Sequence, residues 1–552
     1  MADNYDDYTK DQLVRLLRER DRRPRFGLVW ERDEIDHDLS INNDFVALDW
    51  DAKLSCGDGQ QDNLIIEGDN FDALRYLRMT HAGRVKCIYI DPPYNTGNRD
   101  FIYNDRFIDK DDAYRHSKWL EFMYRRLELA KELLTEDGVI FVSIDDNEGA
   151  HLRLLMDHVF GEGNHLCTFA WEKRYSPPPD TKDIGYLHES VLAYRASPAF
   201  VRQLLPMTSE QSDRYKNPDK DKRGAWKAMD YTCRYTADER PNLYYPIRQP
   251  NTGEDIWPKR TRVWGMSREV HERNVAEGRI WWGVKGTNSV PALKNFMSEI
   301  QQGMMPVSLL KHDLVGHTDE AAKELRELLP ELKFTPKPTR LIRHLLNIAG
   351  DKNALVLDFF AGSGTTAHAV LNLNKEDGGR RRFILVSSTE ATADAPDKNL
   401  CRDVCAERVR RVISGYTNKK GQAVDGLGGG FAYLRCRRIP AATVFRSIQH
   451  DQVWTALQLI HDVALTPYQA KLPMQTTQSK RGLVIYLPKL TDSVLDTVES
   501  AIHAAGQAVV YSWQPALLAQ RLTDPRVAFE PIPAFLVNRF GARSSSATGG
   551  RP

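Results

Sequence analysis

Four short apolar runs constrain this chain most: Val85-Lys86-Cys87-Ile88-Tyr89-Ile90, Val139–Ile144, Ala354–Phe359 and Phe383–Ser387. Each is shorter than an ordinary buried helix, and none shows the strict alternation of a strand with one wet face. They read as strands buried on both faces, the habit of parallel sheets sandwiched between helices. Leu64–Glu67 adds a further strand. Helical patterns separate them at Phe71–Met79, Trp119–Leu134, Leu152–Phe160, Leu341–Ile348 and Cys401–Ile413. In the second of these, Leu120, Met123, Leu127, Ala130 and Leu134 form one apolar stripe. The class is therefore α/β. From about residue 164 to 332 no period is sustained, so one sheet is expected from two distant pieces, with the intervening segment projecting as an insert.

Two of the strands run into turns that carry chemistry. The first ends in Asp91-Pro92-Pro93-Tyr94. Each proline fixes φ near −65° and lacks an N–H, so the Asp91 and Pro92 carbonyls point outward rather than into a ladder. A carboxylate, an outward carbonyl and an aromatic ring suit gripping a flat amine-bearing ring, and Tyr94 can stack on a base turned out of a duplex. The second strand ends in Asp358-Phe359-Phe360-Ala361-Gly362-Ser363-Gly364-Thr365-Thr366. Glycines there let backbone approach a ligand closely. The spacing is neither Gly-x-Gly-x-x-Gly nor a phosphate loop, so the turn alone fits a nucleoside cofactor or an ordinary strand-to-helix connection. Open α/β sheets bind ligands at the carboxyl ends of their strands. Both turns lie at such ends, so they are expected to meet across one cleft.

Together the two elements resemble the amino-group DNA methyltransferases that use S-adenosyl-L-methionine. Asp-Pro-Pro-Tyr first, glycine turn second and a long insert between is similar to the beta-class N6-adenine enzymes. Within that class the chain most resembles the modification subunits of type III restriction-modification systems and their solitary relatives. The stretches that carry this are Asn63–Asn70, Asp91–Gly97, Asp137–Glu148, Thr335-Pro336-Lys337-Pro338 and the glycine turn. The resemblance covers roughly residues 45–165 and 290–415. It implies a Rossmann-like S-adenosylmethionine-dependent fold with circularly permuted motif order, an inserted target-recognition domain and a small C-terminal α/β domain. It also implies double-stranded DNA as partner, a homodimer, and a possible ATPase/nuclease restriction subunit.

The expected catalytic residues are Asp91, Pro92, Pro93 and Tyr94. Those expected at the cofactor are Asp358, Phe360, Ala361, Gly362, Ser363, Gly364, Thr365, Glu390, Lys337 and Asp69; no metal is expected. Asp91 and the Pro92 carbonyl would accept the two amine hydrogens, and Asn95, Thr96 and Gly97 would help close the pocket. Phe360, Gly362 and Gly364 would line the methionine and ribose, and Asp358 would hold the methionine ammonium, directly or through water. Glu390 follows the next strand, where an acid often bonds ribose hydroxyls. By resemblance Asp69 borders the cofactor's adenine and Lys337 stands beside the cofactor. As residues alone, Asp69 is equally a helix N-cap, and Pro336-Lys337-Pro338 a helix start. Asp before Pro-Pro-Tyr favours adenine N6 over cytosine N4. No Pro-Cys pair offers the thiolate of cytosine C5 methylation. A catalytically idle recognition subunit and an amine methyltransferase acting on protein or RNA are the other readings.

The expected domains are an N-terminal helical segment (1–45), a first core segment (46–164), the insert (165–332), a second core segment (333–425), a C-terminal domain (426–540) and a disordered tail (541–552). Net charge is +1, from 76 basic and 75 acidic residues, so any DNA contact must rest on local charge. Arginines crowd the opening segment Thr9 to Trp30, which reads as a short amphipathic helix ending before Pro24, with a solvated face or a phosphate contact. Trp257-Pro258-Lys259-Arg260-Thr261-Arg262-Val263-Trp264 interleaves aromatic and basic residues; it reads as a base and phosphate contact or as core of a small mixed domain. Gly426–Gly430 reads as a flexible joint. The 7 cysteines are scattered, with Cys401 and Cys405 read as core thiols on one helix face. Asp145-Asp146-Asn147-Glu148 reads as the acidic first turn of a helix rather than a cation site. No signal peptide or apolar run long enough to span a membrane is evident, so the cytoplasm is the expected compartment.

Overall fold

The computed structural model describes residues 8–10, 12–14, 30, 43–57, 62–103, 106–109, 112–177, 184–207, 212–299, 303–332, 335–391 and 396–541. The rest of the opening segment between Thr9 and Trp30, and the tail beyond 541, lie outside these residues. The chain divides into two compact units, one of Met1–Gln203 with Val307–Pro552 and one of Leu204–Pro306.

The larger unit is built on one ten-stranded sheet. In chain order its elements are β1 (Phe45–Cys56), β2 (Leu64–Glu67), α1 (Asn70–His81), β3 (Val85–Ile90), α2 (Arg115–Leu133), β4 (Leu134–Ile144), α3 (Gly149–Phe160), β5 (His165–Glu172), β6 (His188–Arg195) and β7 (Leu309–Leu310). After them come α4 (Thr339–Ala349), β8 (Leu355–Asp358), α5 (Thr365–Asp377), β9 (Arg382–Ser387), α6 (Glu407–Ser414) and β10 (Phe431–Ile439). The sheet order is β1-β10-β2-β9-β8-β3-β4-β6-β5-β7. Strands β10 through β4 are mutually parallel, while β1 and the neighbours β6 and β5 run antiparallel to their partners. This is the α/β arrangement expected from the alternating strands and helices, and it is Rossmann-like, as the resemblance implied.

The apolar runs are buried because helices cover both faces. Ile88, Ile90, Ile140, Val142, Leu357, Ile384 and Val386 join Leu74, Leu77, Trp119, Met123 and Leu127 in one core. The two chain pieces meet in that core through β8, which lies between β9 and β3. Its register, Val356 opposite Cys87 and Leu357 opposite Ile88, puts the ends of β3 and β8 side by side. The order also turns here: β8 leads through α5 to β9 on one side, while β3 and β4 lie on the other. Such a reversal opens a crevice above the strand ends.

Several expected boundaries need correction. The insert is not a separate body from residue 165: β5 and β6 extend the main sheet beyond β4, and β7 joins β5. Val191, Leu192, Ala193 and Tyr194 are buried there, so these strands supply core that the broken period concealed. Strand β1 went unread because only its first four residues are buried and its second half is polar. Gly426–Gly430 leads straight into β10, which sits between β1 and β2. The C-terminal region holds a four-stranded sheet of Gln475–Ser479, Gly482–Leu487, Ala508–Ser512 and Val527–Pro531. Its Val484, Tyr486 and Tyr511, with Leu536 and Phe540, belong to the same core as β1 and α1. A joint at 426–430 therefore does not set this region free.

The smaller unit has its own core of Tyr231, Tyr245, Ile247, Trp264 and Trp282. Its three-stranded antiparallel sheet is ordered Ile280–Trp281, Ala292–Phe296, Trp226–Asp230. Most of its tryptophans are thus core, whereas Trp257 is half-exposed and lies against Tyr244. Among the described residues no helix is long and apolar enough to cross a membrane. Leu357 is fully buried between two parallel neighbours. Leu357→Ala should lower the unfolding free energy by about 2–5 kcal/mol, read by urea denaturation.

Candidate active site

The Asp-Pro-Pro-Tyr turn is held by contacts from three sides. Trp119, fully buried in α2, donates its indole N–H to the Pro93 carbonyl at 2.7 Å. Among the described residues no hydrogen bond reaches the Pro92 carbonyl, which stays available beside Asp91. The Tyr94 hydroxyl donates to Asp91 Oδ1 at 2.7 Å. Asn95 closes the turn in the left-handed region at φ 56°, a conformation asparagine tolerates better than most side chains. Its amide donates to Glu148 Oε1 at 2.5 Å and to the Arg115 carbonyl at 3.2 Å.

Glu148 does more than the helix-start acid expected from the sequence. It is fully buried and bonded to His116 Nδ1 at 2.6 Å, His151 Nδ1 at 2.8 Å and Asn95. Burial pushes its carboxyl up to about 7. Asp145, in contrast, accepts from the Asn147 backbone N–H in the turn before α3. Glu148 therefore ties the loop after Tyr94 to both α2 and α3.

Lys337 enters the site from the second chain piece, just before α4. Its ammonium lies 2.8 Å from both Asp91 oxygens and 2.7 Å from the Tyr94 hydroxyl. It also sits over the Tyr94 ring at 5.0 Å and the Trp171 ring at 5.8 Å. Glu189, at the start of β6, approaches the same ammonium at 3.4 Å and accepts from Lys173 at 2.9 Å. Burial opposes the charge on Lys337, but Asp91 and Glu189 outweigh it and hold the ammonium pKa above its ordinary value. Burial likewise works against the Glu189 carboxylate, and Lys337 and Lys173 prevail and hold it low.

Asp358, Phe360 and Gly362 occupy the facing wall, at the end of β8. Asp358 is buried, with Oδ1 accepting from the Phe360 N–H at 3.0 Å and Oδ2 from the Thr366 hydroxyl at 2.5 Å. Both oxygens thus help to shape the turn. Burial raises its carboxyl to about 7. Gly362 and Gly364 have φ of 51° and 77°, where a Cβ is disfavoured. At Gly364 a Cβ would also press on the Cys405 carbonyl at 3.1 Å.

Only Phe360 and Gly362 of this turn are partly exposed; Ala361, Ser363, Gly364 and Thr365 are buried. The Ser363 and Thr365 hydroxyls accept from Arg408 at 3.1 and 2.7 Å on the inner side of the turn. Arg408 is fully buried in α6, and its other arm reaches Glu324 at 3.2 Å. These two hydroxyls thus anchor the turn from below.

Asp69 caps α1 by accepting from the Phe71 and Asp72 N–H groups at 2.9 and 3.2 Å, and it pairs with Arg126 at 3.2 Å. The adjacent Asn70 donates to the Phe359 carbonyl at 3.0 Å, fastening the β2 turn to the β8 turn. Glu390 lies three residues past β9, exposed and paired with Lys398 at 2.9 Å. Asp69, Asp91, Tyr94, Lys337, Phe360 and Gly362 thus gather at one end of the sheet, while Ser363, Thr365 and Asp358 act beneath it. Glu189, Arg126 and Arg408 went unread in the sequence, while Asn70 figures there only as part of a resembling stretch and Glu148 only as a helix-start acid. Only Glu189 carried a signal, as a carboxylate opening the apolar run Val191–Tyr194: an antiparallel strand begins where its parallel neighbours end.

This geometry defines an α/β enzyme-like crevice at a strand-order reversal. Residues 85–394 match the family model described as DNA methylase, and the chain belongs to that family. The StyLTI Mod subunit of a Salmonella typhimurium type III restriction-modification enzyme is 35% identical, the match covering 64% of this chain and 57% of that one. The EcoP15I Mod subunit of Escherichia coli is 32% identical, over 63% of each chain. The Klebsiella pneumoniae type II methyltransferase M.KpnI is 33% identical over 58% of this chain and 79% of its own. The chain thus spans about three-fifths of the length of the two Mod subunits. A solved DNA modification methylase from Thermus thermophilus, complexed with S-adenosyl-L-methionine, aligns at 14% identity with a TM-score of 0.28 over 63% of this chain and 96% of that one. So low a score carries no argument.

The raised Asp358 pKa has a defined sign in stability. Folded protein holds this proton more tightly than unfolded chain, so stability falls as pH rises from about 4 to about 7. Asp358→Asn keeps the acceptor for Phe360 and removes the buried charge. Its melting temperature should exceed that of the wild type increasingly from pH 5 to 7.5, by a stability difference on the order of 4 kcal/mol at most.

Proposed function

We propose that this chain is a site-specific DNA methyltransferase that transfers a methyl group from S-adenosyl-L-methionine to the N6 amine of adenine in double-stranded DNA. The juxtaposition of the Asp91-Pro92 acceptors with the glycine turn, across the paired ends of β3 and β8, carries this reading. An exocyclic amine is conjugated with its ring, so its lone pair is poorly available. Asp91 and the Pro92 carbonyl accept its two N–H hydrogens, turning the lone pair outward and holding it still. As positive charge develops on nitrogen, the Asp91 carboxylate stabilises it. The Tyr94 ring offers a stacking face for the extruded base.

The exposed faces of Phe360 and Gly362 fit the methionine and ribose side of the cofactor, with Asp69 and Glu390 toward its adenine and ribose. When bound, that cofactor supplies an electrophilic methyl group. Lys337 balances the charge of Asp91 until substrate arrives. The smaller unit, with half-exposed Trp257 lying at a tilt against Tyr244 near Arg260, reads the target sequence. By its likeness to Mod subunits, the chain acts in the cytoplasm as a homodimer and serves a type III system with a restriction subunit, or stands as a solitary relative.

Incubation with labelled S-adenosylmethionine and duplex DNA should place label on adenine N6. Label on cytosine N4 would reassign the base, and no transfer would leave an idle recognition subunit. Asp91→Ala should cut transfer by about 100-fold or more while calorimetry finds cofactor affinity unchanged. Undiminished turnover would remove Asp91 from the mechanism.

A further inference from the structure

Lys337 stands on the acceptor atoms that methyl transfer needs. Its ammonium lies 2.8 Å from each Asp91 oxygen, and a substrate amine has to donate to the same carboxylate. Ammonium and amine therefore compete. An ammonium cannot simply let go of its carboxylate in a buried site, because leaving it unpaired costs far more than the hydrogen bonds gained elsewhere. A second anion close by removes that cost.

Glu189 is such an anion. Its Oε2 lies 3.4 Å from Lys337 Nζ and 3.2 Å from the Tyr94 hydroxyl oxygen. Its Oε1 is held by Lys173 at 2.9 Å, and its side chain is 11% exposed. Two lysines and two carboxylates thus alternate in a line, Lys173, Glu189, Lys337, Asp91, with their formal charges balanced. Glu189 comes from β6, paired with β4 so that Ser190 opposes Ile144 at the ligand end of the sheet. It is therefore fixed by the sheet rather than by a mobile loop.

Resting on the methyl-transfer reading above, we propose that Glu189 is a positioning residue that takes over the Lys337 ammonium when the substrate amine engages Asp91. No bond is made or broken in this step. Lys337 gives up one or both hydrogen bonds to Asp91, Glu189 Oε2 accepts in their place, and the net charge of the site stays constant. Without the Glu189 charge, Lys337 keeps Asp91 as its nearest carboxylate, and the amine must displace a full ion pair.

The test is a double-mutant cycle read by single-turnover methylation of duplex DNA. Glu189→Gln should slow transfer by about 10- to 100-fold, the coupling common between bonded charged groups, with cofactor affinity by calorimetry unchanged. Glu189→Asp should recover part of the rate, since it restores the charge. Once Lys337→Met has removed the ammonium, adding Glu189→Gln should cost no further rate. Melting curves on each variant establish that it is folded, and Glu189→Asp serves in the cycle if the glutamine variant is not. Wild-type protein that transfers no methyl group defeats the functional reading and this step with it. Wild-type activity with Glu189→Gln equally fast, or with losses that multiply in the double variant, defeats the handover alone.

Discussion

The parallel pairing of β8 with β3 is the constraint on which the site depends. Val356 opposite Cys87 and Leu357 opposite Ile88 join residues about 270 positions apart. A shift of one residue along this ladder would turn every inward side chain of a strand to the other face. Both strands are apolar on both faces, so polarity does not choose between registers; the fit of particular side chains against the covering helices does. With that register, Asp91 and Phe360 follow paired strand ends, side by side above the sheet.

Around this pairing the protein concentrates buried charge, each charge answered by a specific partner. Asp358 answers the Phe360 N–H and the Thr366 hydroxyl; Arg408 answers Ser363, Thr365 and Glu324; Lys337 answers Asp91 and Glu189. In a site of low dielectric such groups are costly alone and rigid when satisfied. The glycine turn is thus pinned from below and the Asp-Pro-Pro-Tyr turn from the side. The exposed faces of Phe360, Gly362, Asp91 and Tyr94 are left to meet ligands.

The sheet is wider than its parallel centre requires. Strands β6, β5 and β7 on one side and β10 and β1 on the other bring Glu189, Trp171 and the C-terminal region into the same unit as the crevice. The compact insert proper is accordingly narrower, Leu204–Pro306. Antiparallel β6 matters chemically as well as architecturally, because its first residues, not its last, reach the ligand end of the sheet.

The α/β class, the strands Val85–Ile90 and Leu355–Asp358, and the two turns that follow them were legible in the chain itself. Continuous apolar runs and proline- or glycine-bearing turns are local properties, which periodicity and spacing report directly. Strand β1 was not legible, since half of it is polar, nor was the boundary at residue 204, since β5 and β6 carry no sustained period. Arg408 and Glu189 escaped for another reason. Their roles depend on partners about 40 to 150 positions away in the chain, and a charged side chain looks the same in sequence whether water or another charge will satisfy it. Local chemistry thus set the strands and their loaded ends, while tertiary packing alone decided which buried charges would face one another.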